Sequence, residues 1–239
     1  MKTTEPKYKR IVLKMSGEAL REGAREGVLN FELISEIGKA LKKCRDAGVE
    51  IAVIVGAGNI WRGRQSGKMN RVRADNMGML ATVINALALQ DTFIQEGLDA
   101  IVLTSVEMNA FADQFTPRRA VEELEKGKIV IFGGGSGTAF FSTDTPAVIR
   151  AAEIGADAVL MAKNVDGVYD DDPRTNPDAK LYREITYGEI LEKKLKPFDL
   201  TAMTFCMENH IHAYAFALSD PMNIYRVVMG EEIGTEMHP

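Results

Sequence analysis

What most constrains this chain is a series of short apolar runs separated by stretches of longer period. "RIVLKM" (10–15), "VEIAVIV" (49–55), "DAIVLT" (99–104), "KIVIF" (128–132) and "DAVLMA" (157–162) are almost continuously apolar rather than alternating. A strand with one wet face alternates polar and apolar residues, so continuous runs of this length predict strands covered on both faces. Between them the period lengthens. "FELISEIGKALKKCRDAG" places apolar residues at 33, 34, 37, 40, 41 and 44 before a glycine stop. Residues 75–96 predict a longer helix rich in Met and Ala. "RRAVEELEKG" and "DTPAVIRAAEIG" predict two more, the last with Pro146 in its first turn. Beyond residue 180 the pattern predicts helices over 187–194 and 199–209, a strand in "AYAFAL" and a short helix from Pro221. A strand or hairpin in "RVVMGEEIGTEM" would close the sheet.

Strands alternating with helices make a mainly parallel sheet with helices on both sides. The expectation is therefore α/β, a three-layer αβα sandwich, with residues 1–239 forming a single domain. No repeat, low-complexity tract or linker interrupts the chain. Hydrophobic residues at 46% and charged residues at 26% suit a soluble globular enzyme, and the net charge of −5 gives no overall basic field for nucleic acid or anionic lipid. Only Cys44 and Cys206 are present, far apart, which argues against a disulfide framework or a thiolate metal site. The start, "MKTTEPKYKR", is basic but has no apolar run after it, and no run approaches 18 apolar residues. A cytoplasmic protein with no membrane partner is expected.

The chemistry should sit at the carboxyl ends of the strands, where ligands bind in open α/β sheets. Strand one runs into Lys14-Met15-Ser16-Gly17, strand two into Gly56-Ala57-Gly58-Asn59, and "KIVIF" into Gly133-Gly134-Gly135-Ser136-Gly137. Glycine lets backbone N–H groups approach an anion closely, and a following helix N-terminus adds a favourable dipole. One such turn is what any tight strand-to-helix connection needs; three together point to phosphate. No G-x-x-x-x-G-K-[ST] loop occurs, and both G-x-G turns meet an aromatic residue, Trp61 or Phe140, where a dinucleotide fingerprint needs a small one. Lys14 ends an apolar strand, where a charge is costly unless it faces a site or reaches water. Arg62 follows the second turn. Arg71 and Arg73 read as a solvated basic turn, and Asp75 as either a helix cap or an acceptor for a ribose hydroxyl pair. The three acids at 170–172 read as a solvated loop, and His210, His212 and His238 have no metal spacing, leaving surface or packing roles.

Taken together, "YKRIVLKMSGEAL", "GAGNIWRG", "MNRVRADNMGMLATVINALAL", "FFSTD", "NVDGVYDDDP", "FDLTAM" and "RVVMGEEIGT" resemble the amino acid kinase family over essentially the whole chain, and within it the bacterial UMP kinases. The resemblance implies transfer of the γ-phosphoryl of ATP to UMP, in the supply of pyrimidine nucleotides, with Mg²⁺ arriving on ATP, no protein-held metal, and assembly as a homohexamer. It implies an ATP set of Lys14, Met15, Ser16, Gly17, Gly58 and Arg62, continued by Lys163, Asn164, Tyr169 and Asp172. The implied UMP set is Ala57, Asp75 and the run Ser136, Gly137, Thr138, Ala139, Phe140, Phe141, Ser142 and Thr143. Phe140 and Phe141 would wall the pocket, or one of them would belong to the core. Lys14, Arg62 and Asp144 would carry catalysis, with Asp144 and Asp199 orienting the lysines. Glu22, Gly23, Ala24, Arg25, Glu26 and Gly27 match a loop implicated in GTP activation, with UTP as inhibitor; the plain reading is a surface loop. Ala57 stands where many relatives have glycine, and its methyl is tolerable only if φ stays below zero.

Two other readings keep the fold. One changes the acceptor to a carboxylate or carbamate, which would not call for Asp75 or the hydroxyl-rich "FFSTD". The other is a non-catalytic nucleotide-binding regulator, which would tolerate loss of Lys14, Arg62 and Asp144. The apolar helix over 75–96 is expected in the core or against a twin subunit.

Overall fold

The computed structural model describes residues 5–63 and 67–239; the first four residues of the basic start lie outside that description. A nine-stranded sheet runs in the order β4-β3-β5-β2-β1-β6-β10-β11-β9. Its inner strands are β1 (Arg10–Met15), β2 (Glu50–Val55), β3 (Ala100–Thr104), β5 (Ile129–Gly133), β6 (Ala158–Lys163) and β10 (His212–Ala217). Its edges carry β4 (Asp113–Gln114), β9 (Glu184–Thr186) and β11 (Thr235–His238). Every pairing is parallel except β10 with β11. A two-stranded ribbon, β7 (Val168–Tyr169) with β8 (Leu181–Tyr182), stands apart.

Both faces of the sheet are covered, as the unbroken apolar runs require. Ile11, Leu13 and Met15 turn to one side, where they pack with α1 (Gly17–Arg21), α2 (Phe31–Asp46), α3 (Arg71–Gln95) and α8 (Asn223–Val228). Val12, Ala52, Ile54 and Phe132 turn to the other, against α4 (Pro117–Glu125), α5 (Asp144–Ile154), α6 (Tyr187–Glu192) and α7 (Leu200–Glu208). The expected three layers are present.

The differences from expectation have local causes. α3 begins at Arg71 rather than Asp75, because the Asn70 side chain accepts from the Arg73 N–H and caps it there. Asp75 is therefore not the cap. Arg226, Val227 and Val228 close a helix instead of opening a strand; only Thr235–His238 joins the sheet. α3 is also long and apolar enough, by length and composition, to meet the test for a membrane span, yet it packs on β5, β3 and α2.

The winding of the chain places the site. From β1 it moves to β2 on one side, and after β5 it crosses to β6 on the other. Such a reversal leaves a crevice at the carboxyl ends of the flanking strands.

Candidate active site

A cavity of about 420 Å³ opens at that crevice, within the range of a small-molecule site. Lys14, Ser16, Gly17, Ala57, Gly58, Arg62, Asp75, Ser136, Thr138, Phe141, Ser142, Thr143 and Asp144 all line it. Three loops separated by long stretches of chain thus converge as the glycine turns implied. Gly17 shows why no side chain fits: a Cβ there would lie 2.5 Å from the Gly56 carbonyl oxygen and 2.5 Å from Asn59 Oδ1. Ala57 does not adopt a positive φ, so the condition for its methyl is met.

Lys14 and Asp144 form the electrostatic centre. Lys14 projects from β1 towards the α5 side, and its Nζ lies 2.6 Å from Asp144 Oδ1 at the N-terminus of α5. The two side chains are only 13% and 14% exposed, so the cation is held at an apolar strand end by a specific partner. Burial pushes the Asp144 carboxyl up, but Lys14 and, behind it, Lys163 outweigh burial and hold it below the usual carboxylate range. Asp144 is therefore an anion at neutral pH. Lys163 occupies the same side of β6, where its Nζ donates to the Pro197 carbonyl; burial and Lys14 hold its amine below the usual range despite Asp144. It does not line the cavity. Asp199 caps α7 through the Ala202 N–H at 2.8 Å and accepts from Ser142 and Thr145, while its own N–H donates to Asp144 at 3.2 Å. Asp199 thus supports Asp144 rather than meeting a lysine itself.

On the far wall both Asp75 oxygens accept from Arg71 Nε, at 2.9 and 2.8 Å, and Oδ2 also accepts the Phe140 N–H at 2.8 Å. The Arg71 guanidinium lies 5.4 Å from the Phe140 ring centroid. Phe140 has φ of 76°, a left-handed backbone unusual for a bulky residue, and this carboxylate holds it. Neither phenylalanine belongs to the core, Phe140 being 61% exposed and Phe141 47%, and of the two only Phe141 lines the cavity. Arg71 is a lining residue, not a solvated turn. Its spacing of four from Asp75 on one helix was the signal that could have found it. Trp61, Met79 and Thr82 complete the wall without any sequence signal. Arg62 pairs with Glu18 of α1 at the rim.

Other expected site residues lie elsewhere. Met15 is fully buried in the core. Gly137, with φ of 75°, packs on Ser105, and Ala139 and Gly137 do not line the cavity. Asn164 and Glu22 border a second cavity of about 290 Å³ beside α1, with Asn30, Leu33, Leu218 and Ser219. Tyr169 and Asp172 line neither cavity; Asp172 is engaged by Arg174 in an exposed turn. The rest of the loop over 22–27 is mostly exposed, with Arg25 3.4 Å from Glu32. The histidines stand apart from the site. His212 and His238, opposite each other across β10 and β11, stack at 6.0 Å and meet Glu236 and Glu184, acid partners that sequence spacing did not show.

Lys14, Arg62 and Arg71 around glycine-bearing turns make a site for a polyanion. A model of the Amino acid kinase family matches residues 9–216. This chain belongs to that family. Among solved structures it is similar to a UMP kinase from Bacillus anthracis at 36% identity and a TM-score of 0.92, covering 97% of this chain and 96% of that one. A UMP kinase from Ureaplasma parvum matches at 35% identity and a TM-score of 0.91, covering 97% and 99%. A uridylate kinase from Archaeoglobus fulgidus matches at 26% and 0.72, covering 95% and 99%.

Proposed function

We propose that this amino acid kinase transfers the γ-phosphoryl of ATP to UMP, giving UDP and ADP. The observation that carries the reading is one cavity in which the Lys14–Asp144 pair faces an Asp75–Arg71 wall across glycine turns. Its support is a fold and length shared with UMP kinases at 35–36% identity.

Phosphoryl transfer through a loose transition state needs positioning and charge neutralisation more than covalent chemistry. Lys14 would neutralise charge on the transferring group, with Asp144 holding its ammonium in place, and Arg62 would close over the flanking phosphates. The N-termini of α1 and α5 add amides and dipole. The acceptor phosphate of UMP is already an anion, so no general base is required. Asp75 and the run from Ser136 to Thr143 would hold the uridine. Gly17 and the backbone of Met15, whose side chain stays in the core, would seat ATP from the β1 end, with Lys163, Asn164, Tyr169 and Asp172 on its adenosine side.

Among the described residues no three acids, histidines or cysteines converge on a cation position. The donor set suits Mg²⁺ carried by ATP, with few protein ligands. It would supply charge neutralisation at the phosphates, beside Lys14 and Arg62.

The same reading extends to assembly and control. Leu80, Ile84 and Ile94 expose about half of their side-chain surface along α3, which supports burial against a second copy and assembly as a homohexamer. The loop over 22–27, beside the second cavity, would take GTP as activator with UTP opposing it. Both cysteines are free thiols, in keeping with a cytoplasmic enzyme.

The test is ADP release with ATP and Mg²⁺, offering UMP, CMP, AMP, aspartate and N-acetylglutamate separately. Turnover with UMP is expected. Turnover only with an amino acid would keep the family and overturn the acceptor, and nucleotide binding without turnover would favour the regulator.

A further inference from the structure

Beneath the second glycine turn, Asn59 and Asn85 form a reciprocal amide pair: Asn59 Nδ2 donates to Asn85 Oδ1 at 2.9 Å, and Asn85 Nδ2 to Asn59 Oδ1 at 2.8 Å. Their remaining amide hydrogens go to backbone. Asn85 donates to the Gly56 carbonyl at 2.7 Å, and Asn59 to the Val28 carbonyl at 2.9 Å. Asn85 is fully buried and Asn59 is 5% exposed. All four N–H donors are therefore used inside the protein, which makes the pair rigid rather than adaptable.

A buried amide pair of this kind is unnecessary for holding α3 to the sheet, since Ala86, Leu89 and Phe93 already bury that side of the helix. What the pair adds is a fixed direction. Gly56 and Ala57 line the cavity, whereas Asn85 does not. The Gly56 carbonyl is thus drawn inward, away from the cavity. The described residues contain no cis peptide, so the N–H of the same peptide plane, that of Ala57, points the opposite way.

We infer that the Asn59–Asn85 pair is a positioning element that locks the Gly56–Ala57 peptide with its N–H turned towards the bound phosphates. The inference rests on the kinase reading for its ligand, though not for its geometry. Neither asparagine touches substrate through its side chain. Each acts through the backbone of the turn, and the bond to Val28 ties the segment after the 22–27 loop to the same turn.

The test compares Asn85→Leu, which keeps the volume and removes the donor, with Thr92→Val. Thr92 lies two turns further along α3, is also buried, and donates within its own helix to Ala88. Both substitutions remove a buried polar group, but only the first reaches the site. Assayed well below the melting temperature, Asn85→Leu should lose about tenfold or more in kcat/KM for ATP and UMP, while Thr92→Val keeps wild-type kinetics. Equal, unchanged kinetics in both would overturn the inference.

Should Asn85→Leu fail to fold, the backbone ¹⁵N–H resonance of Ala57 in the wild-type chain decides. Adding UMP should shift it strongly, and an Ala57 resonance unmoved at saturating UMP would overturn the proposed orientation. A wild-type chain that phosphorylates no acceptor would sink the kinase reading, while Ala57 would still report on the peptide.

Discussion

Two carboxylates in the helical layer over α4 and α5 are crowded by cations, one at each end of the sheet. Glu123 sits in the last turn of α4, almost wholly covered, within reach of Arg119, Lys126 and Lys128. Asp144 sits at the first residue of α5, facing Lys14. Glu123 lies at the helix end where the dipole disfavours an anion, and its partners are all within five residues along the chain. Asp144 lies at the favourable end and takes its partner from a strand 130 residues earlier, where an apolar side chain would have packed without cost. Charges satisfied locally serve the fold. A charge brought from afar into an apolar strand, opposite an acid in a cavity, marks a site.

The largest expected effect breaks the long-range pair. Lys14→Met should lower kcat by about 10²- to 10³-fold, the scale of removing one preorganised charge from a transition state. It also leaves Asp144 buried without its main partner, so the melting temperature should fall as well. Arg119→Met and Lys126→Met, which strip cations from Glu123, should leave kcat within about twofold. Steady-state kinetics on the three variants settles the contrast. A Lys14→Met enzyme at the wild-type rate would make the two carboxylates equivalent.

The same contrast explains what was legible in the sequence. Long apolar runs and amphipathic helices were readable to within a few residues because their period reports burial directly. β4, β7, β8 and β9 span only two or three residues each, too few for a period to show. Lys14 stood out because its residue type contradicts its surroundings. Arg71 did not, because an arginine beside a helix start is normally a solvated one, and its place between Asp75 and the ring of Phe140, far along the chain, shows only in the fold. Thr82 is similarly silent in sequence, yet its Oγ1 accepts the Gly134 N–H at 2.9 Å and anchors the third glycine turn.

A middle-sized effect sharpens the comparison within the site. Asp75→Asn removes the negative charge that Arg71 grips with a single Nε at both oxygens, while leaving an oxygen able to accept from Phe140. Charge-assisted bonds are roughly twice as strong as neutral ones, so the KM for UMP should rise about tenfold while kcat changes much less. If Asp75 instead served the phosphoryl centre, kcat would fall with KM unchanged.

The smallest effect belongs to Glu123 and should be a matter of pH rather than catalysis. Its hydrogen bonds to Lys126 and Lys128 outweigh the opposing effect of burial and hold the carboxyl at about 2, against an ordinary value of 4.5. A carboxyl whose folded value is depressed contributes stability that is fully present above its unfolded value and drains away as pH falls towards the folded one. Glu123→Gln should therefore melt roughly 2 °C below wild type at pH 7. The gap should hold down to about pH 5 and close between about 4.5 and 2. Thermal melts of both proteins across that range, with kcat compared at pH 7, test the point. A gap independent of pH would mean that Glu123 acts through packing rather than charge. A loss of kcat at neutral pH would mean that the cluster at the amino end of the sheet reaches the site after all.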